Sequence, residues 1–174
     1  MSKAIGIDIG GTGIKGALVN TKKGSLIGDR IRFDTPAGAT PEQVVSKVAE
    51  LVEQLDSDHD TPIGICFPAI IKDGVTLSAA NVSSDWVGLK AEKLFAKSLE
   101  RKVVLLNDAD AAGVAEIKYG AGQERKGLVL MVTLGTGIGT ALFMNGKLIP
   151  NTELGHLEID GVDYETMAAY SAVE

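Results

Sequence analysis

The sequence predicts an α/β protein built as two related halves, and three observations lead there. A buried strand, a glycine turn and a returning strand occur over residues 4–19 and again over 127–149. Short apolar runs alternate elsewhere with segments whose apolar residues recur at helical spacing. The composition, 45% hydrophobic and 23% charged over 174 residues, is that of a globular chain with a real core. The two glycine units lie too far apart for a solenoid, so the repeat is one of domains.

In the first unit Ile5, Ile7 and Ile9, then Ile14, Ala17, Leu18 and Val19, suit two buried strands. Gly10, Gly11 and Gly13 are expected to take φ > 0 and let the backbone approach a ligand. With Thr12 they make a turn whose unpaired N–H groups form an anion nest, a phosphate cradle. Asp8, on the strand end before the turn, is a candidate Mg2+ ligand, directly or through water, and Lys15 adds positive charge. Gly11, Gly13 and Gly16 satisfy G-x-G-x-x-G, but no helix opens at these glycines, because residues 20–24 are turn-like; a dinucleotide fold is rejected. No G-x-x-x-x-G-K-[ST] pattern occurs.

Residues 25–33 read as a third strand and 34–39 as a loop. Thr40 as N-cap, Pro41 at the first helical position and Gln43 completing a capping box start a helix whose stripe is Val44, Val48, Leu51, Val52 and Leu55. A short strand at 63–67 ends at Pro68, and 69–77 form an irregular hairpin turning at Asp73-Gly74. Residues 78–86 are a polar loop in which Trp86 is either a packing anchor or a sugar platform. Residues 90–100 form a second amphipathic helix.

The strand at 102–106 runs into Asn107-Asp108 and the helix 109–119. Ligands of open α/β sheets sit at such carboxyl ends, so Asp108 is a general base for a bound hydroxyl or else only the cap of the helix. Asp110 falls in the first helical turn, where an acidic side chain suits the dipole. In the second unit the strand 128–132 leads into a turn holding Thr133, Gly135, Thr136, Gly137 and Gly139, a second phosphate cradle, and returns through 141–144. Asn145-Gly146 signals a type I′ hairpin. Glu153, His156 and Glu158 then either bind sugar hydroxyls or make a solvated surface. His59, the other histidine, lies in the loop 56–61, so no histidine metal centre is expected. Residues 164–173 read as a helix.

Seventeen Lys and Arg against 23 Asp and Glu leave a net charge of −6, which argues against a general nucleic-acid or anionic-membrane surface. The single cysteine, Cys66, allows neither an intramolecular disulfide nor a multi-cysteine zinc site and is assigned to core packing. Met1-Ser2-Lys3 leads straight into the first strand, leaving no room for a signal peptide. No apolar run approaches the roughly 20 residues of a membrane span, so a soluble, cytoplasmic protein is expected.

Five motifs together carry a resemblance: 7–16 (IDIGGTGIKG), 80–82 (ANV), 106–113 (LNDADAAG), 134–139 (LGTGIG) and 151–158 (NTELGHLE). On these the sequence resembles the sugar kinases of the ROK family, and within it the polyphosphate/ATP-dependent glucokinases of actinobacteria. The resemblance implies an α/β, actin-like ATPase (ribonuclease-H-like) duplicated fold with glucose in a cleft between the halves. By carry-over Asp108 takes the proton of the sugar's 6-hydroxyl, and Asn81, Asn107, Glu153, His156 and Glu158 bind the sugar. The two glycine turns and Mg2+ then hold the donor, polyphosphate or ATP.

Polyphosphate as donor rests on the resemblance; Lys15, Lys118, Arg125 and Lys126 are scattered candidates for a basic track. Many members carry a zinc-binding cysteine cluster after the Glu-x-Gly-His segment; residues 159–174 have none, and no structural zinc is expected. Such kinases also continue past Glu174, through a further glycine-rich segment that contacts the adenosine. The expected organisation is therefore a complete N-terminal domain over 1–107 and the start of an incomplete second domain over 108–174, whose uncovered apolar hairpin points to a homodimer. The competing readings are an inactive sugar-binding fragment and a sugar-responsive regulator lacking its DNA-binding domain, for which Met1 to Lys3 leave no space.

Overall fold

The computed structural model describes residues 3–55, 57–135 and 137–169. The chain divides into two compact units, Met1–Asp108 and Ala109–Glu174.

Alternating isoleucines make the first unit's central strands. β1 (Lys3–Ile9), β2 (Gly13–Asn20) and β3 (Ser25–Asp34) form an antiparallel meander, followed by α1 (Pro41–Gln54), β4 (Ile63–Phe67), a small hairpin of β5 (Ile71–Lys72) and β6 (Val75–Thr76), α2 (Ala91–Leu99) and β7 (Val103–Asn107). The sheet order is β3-β2-β1-β4-β7, with β4 parallel to both β1 and β7. The period of two sends Ile5, Ile7, Ile63, Ile65, Phe67, Val103 and Leu105 to one face, where they pack with Val44, Val48 and Leu51 of α1 and Phe95 of α2. The opposite face carries Gly6, Asp8, Gly64, Cys66, Val104 and Leu106, all at least partly exposed.

Local chemistry sets the boundaries. Thr40 and Gln43 make the reciprocal capping box of α1, with Pro41 at its start. Asp73 (φ 51) and Gly74 (φ 73) supply the two positive φ values that a tight hairpin turn requires. Trp86 is fully buried, its ring centroid 4.6 Å from Phe67 and 5.7 Å from Phe95, and its Nε1–H donates to the Ala39 carbonyl at 2.9 Å. It is a packing anchor; the sugar-platform reading fails because neither ring face is open.

In the second unit α3 (Asp108–Tyr119), which starts on the last residue of the first, precedes β8 (Leu128–Leu134), β9 (Ile138–Met144) and β10 (Lys147–Ile149), in sheet order β10-β9-β8. Asn145 (φ 51) and Gly146 (φ 75) make the predicted I′ turn. After a 3₁₀ turn at Leu154–His156 come β11 (Glu158–Ile159), β12 (Val162–Asp163) and α4 (Glu165–Ala168). The helix expected over 164–173 is thus cut short: Ala169 is extended (φ −71, ψ 159) and buried, so the chain leaves the helical path to seat that residue. Residues 170–173 of that expectation lie outside the described residues. Among the described residues no helix is long and apolar enough to cross a membrane.

Candidate active site

In the first unit the parallel strands β1, β4 and β7 bring their carboxyl ends to one edge. Asp8 registers with Cys66, and Cys66 with Leu106, so these three side chains stand in a row, with Asp108 two residues beyond. Burial, then the Asp8 and Asp108 carboxylates, push the Cys66 thiol up to about 12; both acids therefore act on one thiol at this edge. Lys15 lies directly across from Asp8 in the hairpin, and its Nζ donates to Asp8 Oδ2 at 3.3 Å. Asn107 is buried and its Nδ2 donates to the Ala69 carbonyl at 3.2 Å. Asp108 is exposed on the first residue of α3.

The first glycine turn is closed by the Gly10 N–H donating to the Gly13 carbonyl at 3.0 Å. Thr35 Oγ1 and Arg32 Nη2 donate to the carbonyls of Gly10 and Thr12 at 2.5 and 3.1 Å. Among the described residues nothing accepts from the N–H groups of Gly11 and Thr12, which leaves them for an anion. The expected positive φ is absent: Gly10, Gly11 and Gly13 all lie outside that region. Close approach is the reason for glycine instead. A Cβ on Gly11 would stand 2.7 Å from the Cβ of Asn81, and one on Gly13 2.9 Å from Arg32 Nε. Asn81 itself is exposed with φ 60, so the structure sets this candidate sugar ligand against the turn.

The second unit has a parallel arrangement. The Gly135 N–H donates to the Gly137 carbonyl at 3.0 Å; Thr136 lies outside the described residues. Gly135, Gly137 and Gly139 again avoid positive φ. Gly137 is backed by the Glu165 carboxylate, 2.9 Å from a Cβ placed there, and Gly139 by the Thr133 hydroxyl and Ala109. Glu165 Oε2 accepts from the Ile138 N–H at 2.7 Å. Gly155 packs against the Ile138 carbonyl with no room for a side chain, and the Leu154 N–H donates to Thr140 Oγ1 at 2.9 Å, which seats the 153–156 segment beside the turn. Glu153 takes φ 44 there.

His156 Nδ1 lies 3.1 Å from Asp163 Oδ2 and 3.9 Å from Glu165 Oε1. The hydrogen bond to Asp163 raises the His156 pKa, desolvation opposes the rise, and the Glu165, Asp163 and Glu153 carboxylates add to it. The same bond, then the Glu165 N–H, lowers that of Asp163. Glu158 is exposed on β11. Sequence reasoning missed Asp163 and Glu165, which follow a Gly161 turn with no telling spacing. It also set aside Asp110, whose buried carboxylate accepts from the Asn151 N–H at 2.8 Å and so ties down the loop leading to Glu153. Arg32 was legible only by counting the hairpin register, which pairs it with Lys15.

Lys118 sits 5.1 Å over the Tyr119 ring and Arg125 Nε donates to the Ala121 carbonyl at 3.5 Å, both in the second unit. Among the described residues no three His, Cys, Asp or Glu gather as a metal centre. The Asp8 carboxylate is 49% exposed beside Lys15, and Mg2+ ordinarily takes one or two carboxylates together with waters and phosphate oxygens.

Residues 4–169 match the ROK family. The chain is 48% identical over 170 residues to the polyphosphate glucokinase of Mycobacterium leprae (strain TN), covering 97% of this chain and 52% of that protein. It superposes on the crystal structure of inorganic polyphosphate/ATP-glucomannokinase from Arthrobacter sp. strain KM with TM-score 0.93 and 52% identity, over 99% of this chain and 70% of that one. A ROK family glucokinase from Streptomyces griseus, in complex with glucose and AMPPNP, matches with TM-score 0.83 and 28% identity over 98% and 58% of the two chains. The chain spans about half the length of the curated relative it matches. The α/β architecture of these neighbours is the actin-like ATPase fold, and the chain belongs to the ROK family.

Proposed function

We propose that this chain carries the chemistry of a glucokinase, moving a phosphoryl group from polyphosphate or ATP to the 6-hydroxyl of glucose. The observation that carries the reading is the pairing of Asp8 and Asp108 at one sheet edge, beside a glycine turn with unengaged N–H groups. Phosphoryl transfer asks for little else: an oriented hydroxyl, a base, and N–H groups or cations around the moving charge.

In this reading Asp108 accepts the proton of the 6-hydroxyl as the oxygen attacks the terminal phosphorus, and the bond to the leaving phosphate breaks. Asn107 is held rigid by its bond to Ala69 and with Asn81 orients the sugar. Glu153, His156 and Glu158 take other hydroxyls; below its raised pKa His156 keeps Nδ1–H on Asp163, leaving Nε2–H as a donor. The first turn, Gly10 to Gly13, receives donor phosphates through the N–H groups of Gly11 and Thr12 with the Lys15 ammonium beside them, and the second, Thr133, Gly135, Thr136, Gly137 and Gly139, takes further donor phosphates. Asp8 would hold Mg2+, which when bound neutralises charge on the phosphate oxygens. A cytoplasmic homodimer, acting on small molecules and engaging neither nucleic acid nor membrane, is part of the same reading.

Asp108→Asn is the test. Glucose-6-phosphate formation in a coupled assay should fall roughly 10²- to 10⁴-fold, the usual contribution of a general base, while glucose binding by calorimetry persists. Near-normal turnover in the variant would remove Asp108 from the role of base.

A further inference from the structure

Arg32 is the cation at the first glycine turn to which the reaction above gives no task. Its guanidinium lies flat against Gly13, with a Cβ there only 2.9 to 3.2 Å from Nε, Nη2 and Cζ. Nη2 donates to the Thr12 carbonyl at 3.1 Å and Nη1 to Asp34 Oδ1 at 2.8 Å. A guanidinium has five N–H donors, and the others have no partner among the described residues. The side chain is 50% exposed, and its Asp34 partner is 85% exposed, a pair that a stronger anion can displace. Lys15 and Arg32 are direct register partners on β2 and β3, so both project from the same face and stand side by side next to the turn.

We propose that Arg32 and Lys15 form an outer anion subsite that takes phosphates beyond the three that ATP also carries when the donor is an inorganic polyphosphate chain. The inference rests on the kinase reading and deepens it toward donor choice. The turn's N–H groups are enough for one phosphate. Cations displaced to one side of the turn meet further charge only if the donor continues as phosphate. ATP ends in a nucleoside after three phosphates, whereas polyphosphate carries charge and condensed counterions on every unit, and each cation that replaces a counterion adds to affinity and to its salt dependence. Arginine suits this place because its fork can hold the Thr12 carbonyl and a phosphate oxygen together.

The experiment measures binding of long-chain polyphosphate, of ATP with Mg2+, and of glucose to the 174-residue chain at two salt concentrations. It compares wild type, Arg32→Gln and Arg32→Lys. Arg32→Gln is expected to weaken polyphosphate about fivefold, the scale of an exposed charge pair, and to lower the log–log salt slope by about 1. ATP affinity should stay nearly unchanged. Arg32→Lys should keep the salt slope because the charge remains. The proposal is overturned if Arg32→Gln binds polyphosphate like wild type. It is equally overturned if both variants lose polyphosphate and ATP in parallel, for then Arg32 only braces the turn. A wild-type chain that binds glucose but neither phosphate donor would sink the donor-site reading itself, a result distinct from either.

Discussion

Three carboxylates bear on one imidazole at His156, and the consequence is a pH-dependent pair. The hydrogen bond to Asp163, with Glu165 and Glu153 adding charge, raises the His156 pKa above its ordinary 6.5, so the histidine's contribution is complete below 6.5 and is lost as pH rises through the raised value. The Asp163 pKa is lowered, so its contribution is present above the ordinary 3.8 and is lost as pH falls through the lowered value. Between those limits the bond is charge-assisted. An NMR titration of the His156 ring should give a midpoint above 6.5, and Asp163→Asn should bring it down; an unmoved midpoint would mean that Asp163 is not the cause. Glucose affinity in the same variant should fall at neutral pH if the bond orients the ring for the sugar.

Between elements, close approach recurs as the reason for glycine, and α3 shows it most clearly. Gly113 is buried in the middle of this helix, where alanine ordinarily stabilises by about 0.5–1 kcal/mol. Here a Cβ would stand 2.6 Å from the Cβ of Ala141 and 2.7 Å from Phe143 on β9. Overpacking of that kind costs about 1–3 kcal/mol, so Gly113→Ala should lower the melting temperature rather than raise it. Thermal melts against Val114→Ala, at an exposed position on the same helix, check the sign. The two glycine turns obey the same logic with different backing groups: Asn81 and Arg32 behind the first, Glu165 and Thr133 behind the second. Each turn is therefore shaped by side chains from elsewhere in its own unit, not by strained backbone.

At the scale of the whole molecule, the face of β8 is an unspent apolar feature. Leu128, Leu130, Val132 and Leu134 alternate along it, with Leu128 62% and Leu134 78% exposed, on the edge strand of the β10-β9-β8 sheet. A groove of about 710 Å³ runs beside it, lined by Gly113, Ile117, Leu128, Leu130 and Phe143 among others. Exposed apolar edges of this kind associate. The chain should self-associate in sedimentation or light-scattering measurements, and Leu130→Lys with Val132→Lys should return it to monomer; a wild-type monomer at high concentration would refute the homodimer.

What the sequence determined by itself is what local chemistry controls. The alternating isoleucines of β1, the Thr40–Gln43 box with Pro41, the Asn145-Gly146 turn and the two strand–glycine–strand units each lie within a few residues, where dihedral preference and periodicity act directly. The carboxyl-end position of Asn107 and Asp108 was legible for the same reason, since it follows from a strand ending and a helix beginning. Tertiary structure alone decided the rest. Trp86 became an anchor because Phe67, Phe95 and Ala39 converge on it from separate segments. The glycines of the turns proved to need space and not positive φ, because Asn81, Arg32 and Glu165 arrive from distant positions. Asp163 and Glu165 joined His156, and Asp110 joined Asn151, through pairings with no period in the chain. A contact between residues far apart in sequence leaves no local dihedral or hydropathy signature, and only the folded path brings its two ends together.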